Sequence, residues 1–396
     1  MGDCAVWGSE LSPFVLKLRA LLDSTGIPYR WLPDQGTRFE NLITLGRLRR
    51  AKARRAVQRY PTASPLDEYP LVPFLVEDGR RFHHDSSALA RWLDAHPERR
   101  GLALFPEAQD QAFLAQLLDE FFDEFGLYLV HHKRWVDSAA TNDAGSRLAG
   151  EMRTLLPGPL RPILARRFSE RQVRRLPYLF SVAPEGYDAG VDPALTPPSR
   201  AGFPATHDLL DEVWEATLTG MEAVLTRQPF LLGERFTVAD ASAYGQLGMN
   251  LTDPTAAENM RERAPATTAW LENIRDRRHI GTRGATSLSA ALRPLLGVVM
   301  RTFAPLMQQN ESAYERARTR GAARFNEAAF DRGEALYDGE LIGHRFRSVA
   351  KSFQVRVWRD LRQTWRTLPE ADRKHLESTM PGCDYFDAAE SRRSHP

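Results

Sequence analysis

The sequence predicts an α/β domain followed by a larger all-helical domain and a mixed, helix-rich extension. Residues 4–33 show a strand, a helix and a second strand in succession, and residues 71–96 add a hairpin and another helix. From about residue 103 onward, strand patterns nearly vanish and amphipathic helical spacing replaces them. Strands that alternate with helices predict a layered domain, and a long run of helical spacing predicts a bundle.

The first 33 residues open the α/β domain. The apolar run CAVWG (4–8) suits a buried strand, and Pro13 suits the first position of a helix. Gly26 is placed to end that helix, and YRWLP (29–33) is typical of a second strand. The apolar residues that recur at helical spacing are Phe14, Val15, Leu18, Leu21 and Leu22.

Residues 41–65 carry seven basic side chains and no acidic one. Such a run could bind a polyanion or a membrane surface. No strong apolar face accompanies the charges, so the sequence favours a solvated helix inserted between core elements.

Residues 71–96 complete the α/β domain. FLVEDGRRF predicts two short strands joined at Asp78-Gly79, a pair that two-residue hairpin turns prefer. The Asp-Ser-Ser run at 85–87 can cap a helix whose apolar face carries Leu89 and Trp92. The domain therefore reads βαβ, insertion, ββα.

The helical part begins with an amphipathic helix predicted over 111–135. Residues 184–204 are rich in Pro and Gly and predict a long loop, after which helical spacing returns at 206–227. In the last segment, 286–396, DGELIG and RFRSVAKSF predict a hairpin that leads into a helix. The run TVAD at 237–240 predicts a capping box with a structural role.

The composition is that of an ordinary soluble protein. Of the 396 residues 42% are hydrophobic and 26% are charged, and the formal net charge of +2 gives no support to a nucleic-acid partner. Cys4 and Cys383 form neither a disulfide framework nor a zinc pattern. No secretory signal and no uninterrupted apolar stretch of about 18 residues is visible. We therefore expect a cytoplasmic protein without an integral membrane segment.

Four segments, in this order and spacing, resemble the glutathione S-transferase family: SPFVLKLRALLDSTGIPYRW, LVPFLV, DSSALARWL and FLLGERFTVADASAYGQL. The resemblance covers about residues 1–285 in pieces, and the segments 34–70 and 184–204 depart from it. It implies a thioredoxin-like glutathione-binding domain at 1–102 and the family's all-helical C-terminal domain at 103–285. Residues 286–396 remain as an extension of unknown role.

The resemblance places the sulfur of glutathione at the start of the first helix. A thiol near pKa 8.5 must lose its proton to attack an electrophile, and lowering its pKa by about two units takes roughly 2.7 kcal/mol. A hydroxyl and the positive helix end can supply that preference for the anion. Ser12 matches the family's activating position, and Ser9 is the alternative. Ser12 could also be a plain helix cap, and we interpret its hydroxyl as both the cap and the donor to the thiolate.

The same resemblance assigns the rest of the glutathione site. Val72-Pro73 matches the family's cis-proline turn, where the Val72 backbone would pair with the cysteinyl backbone of the tripeptide. Asp85 would hold the γ-glutamyl ammonium, and Ser86 with the helix start would hold its carboxylate. Phe14, beside Ser12, is counted with these binding residues. Arg38 is a candidate partner for the glycyl carboxylate only because it is cationic and near in sequence.

One constellation on the 111–135 helix resembles a metal site. Carboxylates and histidines share its faces: Asp119, Glu120, Asp123, Glu124, His131 and His132. Such side chains on a helix can bind a metal, but no second helix offers a matching Glu-x-x-His pair, and the resemblance implies a family that needs no metal. We expect no metal, and interpret these residues as a solvated face or as a polar wall of the substrate pocket.

The predicted function is a glutathione transferase of detoxification type. Glutathione would act as co-substrate, and a small apolar electrophile would lie between the domains, against Phe121, Phe125 and Tyr128. The family implies a homodimer. The alternative is a non-catalytic adaptor or structural protein of the same fold, and a peroxidase or dehalogenase reaction of the same thiolate is a third reading.

Overall fold

The computed structural model describes residues 4–54, 57–59, 72–96 and 103–387, and it opens with a five-stranded mixed sheet. Residues 55–56 and 60–65 of the predicted basic segment lie outside the described residues. The strands are β1 (Cys4–Trp7), β2 (Arg30–Leu32), β3 (Gln58–Arg59), β4 (Phe74–Glu77) and β5 (Arg81–His84). Their order across the sheet is β2-β1-β4-β5-β3.

The central strand β1 runs parallel to β2 and antiparallel to β4, with Val6 opposite both Trp31 and Leu75. The β4–β5 hairpin turns at Asp78 and Gly79, which both have positive φ, as the sequence predicts. Strand β3 joins the far edge parallel to β5 and was not predicted.

Three helices cover the two faces of this sheet: α1 (Pro13–Thr25), α2 (Arg38–Ala53) and α3 (Ser86–Asp94). Side chains of β1 alternate between the faces, so Val6 packs with α1 and α3, whereas Ala5 and Trp7 pack with Leu48 of α2. Helix α1 begins at Pro13 and ends at Gly26 in the left-handed conformation, as predicted. The inserted helix of the basic segment is α2, and it buries one narrow face on the sheet.

The helical part begins with one continuous helix over residues 109–137. It consists of α4 (Gln109–Phe121), a π-helical turn (Phe122–Gly126), α5 (Leu127–His132) and a second π-helical turn (Lys133–Asp137). The sequence predicts its extent but not the two π turns. Each π turn takes up an extra residue and therefore changes which side chains share a face.

The remaining helices of this part are α6 (Ala144–Glu151), α7 (Arg161–Arg174), α8 (His207–Leu225), α9 (Val238–Met249), α10 (Pro254–Arg263) and α11 (Pro265–Arg275). Short 3₁₀ turns occur at Gly158–Leu160, Pro193–Leu195, Asn250–Thr252 and Ala290–Leu292. Helix α9 begins with the predicted capping box, in which Thr237 and Asp240 bond each other's backbone. Helix α9 packs on α1, and Gly245 permits this approach because a Cβ there would lie 2.6 Å from the Pro13 carbonyl oxygen.

The extension packs on the helical part and shares its core. It contains α12 (Arg293–Thr319), α13 (Glu327–Arg332), β6 (Leu336–Leu341), β7 (His344–Val349), α14 (Ser352–Thr367), α15 (Glu370–Thr379) and α16 (Asp384–Asp387). The β6–β7 hairpin leading into α14 is the one predicted from the sequence. Phe303 and Trp358 place the extension in the same apolar cluster as Phe121.

One helix of the described residues, Ala290–Thr319, is long and apolar enough to cross a membrane by length and composition. In this fold 67% of its most apolar window is buried against other elements. A buried core helix passes the same test, so this helix is weak evidence for a membrane span.

Candidate functional site

A cavity of about 1940 Å³ lies where the α/β domain, the long helix and the extension meet. The start of α1, the Val72-Pro73 turn and the start of α3 line one side of it. The helix over 109–137 lines a second side, and α14 of the extension lines a third. All seven predicted site residues lie on its wall: Ser9, Ser12, Phe14, Val72, Pro73, Asp85 and Ser86.

The two candidate serines have different surroundings. Ser12 occupies the N-cap position of α1, yet its hydroxyl makes no capping hydrogen bond, and only its backbone carbonyl joins the helix. Ser9 is buried, and its hydroxyl oxygen accepts from the Leu11 N–H at 3.2 Å. The interpretation of Ser12 as a side-chain cap is therefore wrong, and its hydroxyl is available to a ligand.

The Val72-Pro73 peptide bond is cis, as the sequence predicts, and both residues lie on the cavity wall next to strand β4. Phe14 lies half-buried on the same wall, in the first turn of α1. Arg38 is exposed on α2 and does not line the cavity, so its candidacy as a partner of glutathione loses its basis.

Asp85 and Ser86 form the start of α3. The Asp85 side chain accepts from the Ala88 N–H at 3.1 Å, which makes it the helix cap, and its backbone has φ of 76°. A non-glycine residue at such a φ is strained, and strain of this kind clusters at binding sites. The other carboxylate oxygen of Asp85 lies 3.2 Å from a guanidinium nitrogen of Arg356, which belongs to α14. The Ser86 hydroxyl has no hydrogen-bond partner among the described residues.

A buried ion cluster joins the two domains behind this wall. The Lys17 ammonium on α1 lies 2.6 Å from carboxylate oxygens of both Asp119 and Asp123, and it donates to Ser87 at 2.9 Å. Burial alone would lower the pKa of Lys17, but the two carboxylates raise it above its ordinary value. Burial raises the pKa of Asp123 to about 6 in spite of Lys17.

The acidic residues of the long helix form a polar wall of the cavity, one of the two interpretations that the sequence left open. Glu120, Glu124 and His131 all line it. Burial raises the pKa of Glu124 to about 7 and raises that of Glu120 as well, and burial lowers the pKa of His131 to about 3. At neutral pH this wall therefore holds a neutral imidazole and carboxyl groups that resist ionisation.

The predicted aromatic wall is partly wrong. Phe121 and Phe125 are fully buried in the core and do not line the cavity, whereas Tyr128 does. The π turn at Phe122–Gly126 lies between Phe121 and Tyr128 and shifts the residues that follow it relative to straight α-helical spacing.

Tyr128 belongs to a polar cluster that the sequence did not reveal. The Lys351 ammonium donates to the Tyr128 hydroxyl oxygen at 2.6 Å and to the Tyr178 carbonyl oxygen at 3.2 Å. Gln354 of α14 donates to the same hydroxyl oxygen at 2.8 Å. Burial lowers the pKa of Lys351 to about 7.

Among the described residues, His132, Asp137 and Asp211 are grouped closely enough to hold a metal ion. The Lys133 ammonium already contacts both carboxylates of this group. The Lys133 ammonium therefore occupies the place where a metal ion would bind. His132, Asp137 and Asp211 do not line the cavity.

The residues that the sequence interpretation missed come from the extension: Arg356, Lys351 and Gln354. Their positions in the sequence carry no motif. The amphipathic spacing of α14 predicts a helix, but nothing in it predicts that its polar side chains meet Asp85 and Tyr128.

The fold and the cavity together define a two-domain protein in which a thioredoxin-like domain precedes an all-helical one. Residues 11–96 match the family model described as glutathione S-transferase, N-terminal domain, and residues 204–273 match the model described as glutathione S-transferase, C-terminal domain. The chain therefore matches the models of both domains of the glutathione S-transferase family, as its sequence predicts.

Several solved structures are similar to this chain. The beta-etherase LigF from Sphingobium sp. strain SYK-6 is 16% identical, with a TM-score of 0.43, over 70% of this chain and 97% of the other. A glutathione S-transferase-like protein from Pseudomonas syringae is 17% identical, with a TM-score of 0.38, over 74% of each chain. A glutathione S-transferase from Methylobacillus flagellatus with glutathione bound is 13% identical, with a TM-score of 0.32, over 69% of this chain and 98% of the other. No curated protein matches the sequence.

Proposed function

We propose that this protein is a glutathione transferase that binds glutathione on the α/β side of the cavity and conjugates it to a small, mainly apolar electrophile. The observation that carries the proposal is the Ser12 hydroxyl, which makes no capping bond although it stands at the helix start. It lies on the same cavity wall as Val72, Asp85 and Ser86. These are the positions at which the family places the parts of the tripeptide.

In this proposal each end of glutathione meets a complementary group. The ammonium of the γ-glutamyl residue would bind the Asp85 carboxylate. The carboxylate of the same γ-glutamyl residue would bind the Ser86 hydroxyl and the N–H groups at the start of α3. The extension adds Arg356, whose guanidinium already lies beside Asp85 and would also face the γ-glutamyl carboxylate of glutathione. The Val72 backbone would pair with the cysteinyl residue.

The sulfur would then lie by the N-terminus of α1. A hydrogen bond from Ser12 and the positive end of the helix both favour the thiolate over the thiol. Together they would lower the thiol pKa from about 8.5 toward neutrality, which raises the fraction of nucleophile at physiological pH. The electrophile would enter from the side of the cavity formed by the long helix and α14.

Other features of the proposal follow from the family. We propose a cytoplasmic homodimer that acts in detoxification, with domains at 1–102 and 103–285 and the extension at 286–396. Since α14 lines the cavity, the extension would shape the second substrate's site. The alternative hypothesis is a non-catalytic adaptor or structural protein of the same fold, and a site that binds no glutathione would favour it.

The test is calorimetric titration with glutathione, together with the rate of conjugation to a chloronitroaromatic substrate. Asp85→Ala should weaken glutathione binding, and Ser12→Ala should slow conjugation sharply. Ser9→Ala is the matched control, because the Ser9 hydroxyl oxygen already accepts from the Leu11 N–H. Absence of binding at millimolar glutathione would overturn the proposal, and a larger rate loss in Ser9→Ala than in Ser12→Ala would move the activating role to Ser9.

A further inference from the structure

Large apolar side chains are exposed together on one surface outside the cavity. Of the six that are most exposed among the described residues, four belong to two segments, the first half of α2 and the turn that leads into α7: Phe39, Leu42, Leu160 and Ile163. Their exposed fractions run from 46% for Leu160 to 75% for Phe39. Single exposed apolar residues are common on soluble proteins, but a group of them on neighbouring segments indicates an interaction surface.

Hydrogen bonds and an ion pair join these two segments. The Asn41 side-chain nitrogen donates to the Thr154 hydroxyl oxygen at 2.8 Å. The Arg153 guanidinium pairs with the carboxylate of Asp34, which lies shortly before α2. Arg161 in turn donates to the Arg153 carbonyl oxygen at 3.3 Å. The beginning of α2 and the beginning of α7 are therefore neighbours on the surface of the molecule.

Both segments are also basic. Residues 41–65 contain seven basic side chains, residues 152–169 contain four arginines, and neither range contains an acidic residue. The acidic residues beside them, Asp34 and Glu40, already pair with arginines. Four exposed arginines of the two segments make no ion pair among the described residues: Arg38, Arg49, Arg50 and Arg167. We call these four arginines and the four apolar side chains the α2–α7 patch.

The fold changes the interpretation of the basic segment. The sequence favours a solvated helix there, because no strong apolar face accompanies the charges within that segment. The structure adds apolar side chains from a second segment, which meets the first through Asn41 and Thr154, 113 positions apart in the sequence. Charge and exposed apolar surface therefore occur together, although neither segment shows the whole combination.

This combination fits a bilayer that contains anionic lipids. Unpaired arginines attract the anionic headgroups, and exposed apolar side chains can enter the boundary between the headgroups and the acyl chains. A nucleic acid would use the arginines and could stack a base on Phe39, but it would offer no apolar partner to Leu42, Leu160 or Ile163. The aliphatic side chains therefore favour the lipid surface.

We propose that the α2–α7 patch is a peripheral binding surface for a bilayer that contains anionic lipids. The apolar side chains enter the headgroup region, and the arginines lie at the level of the anionic headgroups. Each contribution is weak by itself, so stable binding needs both. None of the patch residues lines the cavity, so the proposal goes beyond the proposed transferase function and does not rest on it.

The first test is flotation of the full chain with phosphatidylcholine vesicles, prepared with and without phosphatidylserine. The wild type should float with the anionic vesicles, bind at least about tenfold more weakly to phosphatidylcholine alone, and be released by about 0.5 M salt. Phe39→Ser combined with Ile163→Ser should weaken binding to the anionic vesicles by about tenfold or more. Arg49→Gln combined with Arg50→Gln should weaken it by a similar factor.

The matched control changes one apolar and one basic side chain outside the patch, Ile280→Ser combined with Arg320→Gln. Ile280 is 43% exposed, and Arg320 is exposed and makes no ion pair among the described residues. Arg277, close to Ile280, pairs with Asp23 of α1, which covers the opposite face of the sheet from α2. This variant should bind the anionic vesicles as the wild type does.

The second test reports the insertion of the patch directly. Both native cysteines are buried, so a polarity-sensitive fluorophore can be attached selectively to Leu42→Cys. Its emission should shift to shorter wavelength when anionic vesicles are added, because the probe leaves water. The same fluorophore at Arg320→Cys should show no shift.

Three outcomes would overturn the proposal. The first is a wild type that does not bind the anionic vesicles, or that binds them no better than both sets of patch variants do. The second is vesicle binding without an emission shift at position 42, which would exclude insertion of the apolar side chains. The third is binding of duplex DNA or polyglutamate without binding of vesicles, which would assign the arginines to a soluble polyanion.

Discussion

Replacing Lys17 by Met should destabilise the protein strongly. The ammonium is 1% exposed and lies between Asp119 and Asp123 at 2.6 Å from each. Methionine has nearly the same apolar stem, so little packing is lost on substitution. What is lost is the charge that compensates two buried carboxylates, and with it the polar connection between α1 and the long helix.

The expected loss is about 3–5 kcal/mol in the free energy of unfolding, the usual cost of removing one partner from a buried ion pair. That is a large part of the roughly 5–15 kcal/mol that holds a domain folded. The loss should depend on pH. The pKa of Asp123 is already raised to about 6 by burial, and without Lys17 it rises further. The folded variant then binds more protons than its unfolded chain, so its stability improves as the pH falls through the folded pKa.

The assay is urea unfolding followed by tryptophan fluorescence, at about pH 8 and about pH 5. The deficit of Lys17→Met should be larger at the higher pH. Lys374→Met is the control, because Lys374 makes an exposed pair with Glu370 and should change stability by no more than about 0.5 kcal/mol. Adding Asp119→Asn and Asp123→Asn to Lys17→Met should recover part of the loss. A Lys17→Met protein within about 1 kcal/mol of the wild type at the higher pH would refute the reasoning.

Three further predictions concern single sites. Lys351→Met should stabilise the protein by about 1–3 kcal/mol near neutral pH. The wild type should gain stability as the pH rises from about 7 toward 10.5, because burial lowers the pKa of Lys351, and the variant should lose that gain. An unchanged alkaline stability profile in urea unfolding would contradict this prediction. Arg356→Ala should weaken glutathione binding by about tenfold in calorimetry, because it removes a cation beside Asp85, and tighter binding would instead mean that the extension obstructs the site. Thr237→Ala should lower the free energy of unfolding by about 1 kcal/mol, measured by thermal denaturation, because it breaks the capping box with Asp240, and no change in the midpoint would contradict that.

Local signals in the sequence predict much of this fold. Pro13 and Gly26 bound α1 because each restricts the backbone at its own position, and Asp78-Gly79 sets the hairpin for the same reason. Such signals act over a few residues, so they can be recognised without knowledge of the tertiary structure. The predicted site residues on the α/β side also lie on one cavity wall. They could be predicted together because the order of their motifs along the chain resembles that of a known family.

The other side of the cavity depends on contacts that no local signal encodes. Arg356 meets Asp85 across 271 positions of the sequence, and Lys351 meets Tyr128 across 223. The sequence predicts Phe121 and Phe125 at the pocket, but both are fully buried in the core, and the π turn that begins at Phe122 has no local signal in the sequence. Sequence patterns therefore predict the elements well, but they do not predict how the extension completes the site.

The most direct test of the central proposal is the ionisation of bound glutathione. Ultraviolet absorption of the thiolate, recorded against pH with glutathione bound, gives the thiol pKa in the site. The wild type should show a thiol pKa at least about one unit below the free value near 8.5, Ser12→Ala should return it most of the way, and Ser9→Ala should leave it low. A bound thiol with its ordinary pKa, or a depressed pKa that Ser12→Ala does not change, would contradict the assignment of Ser12 as the group that stabilises the thiolate.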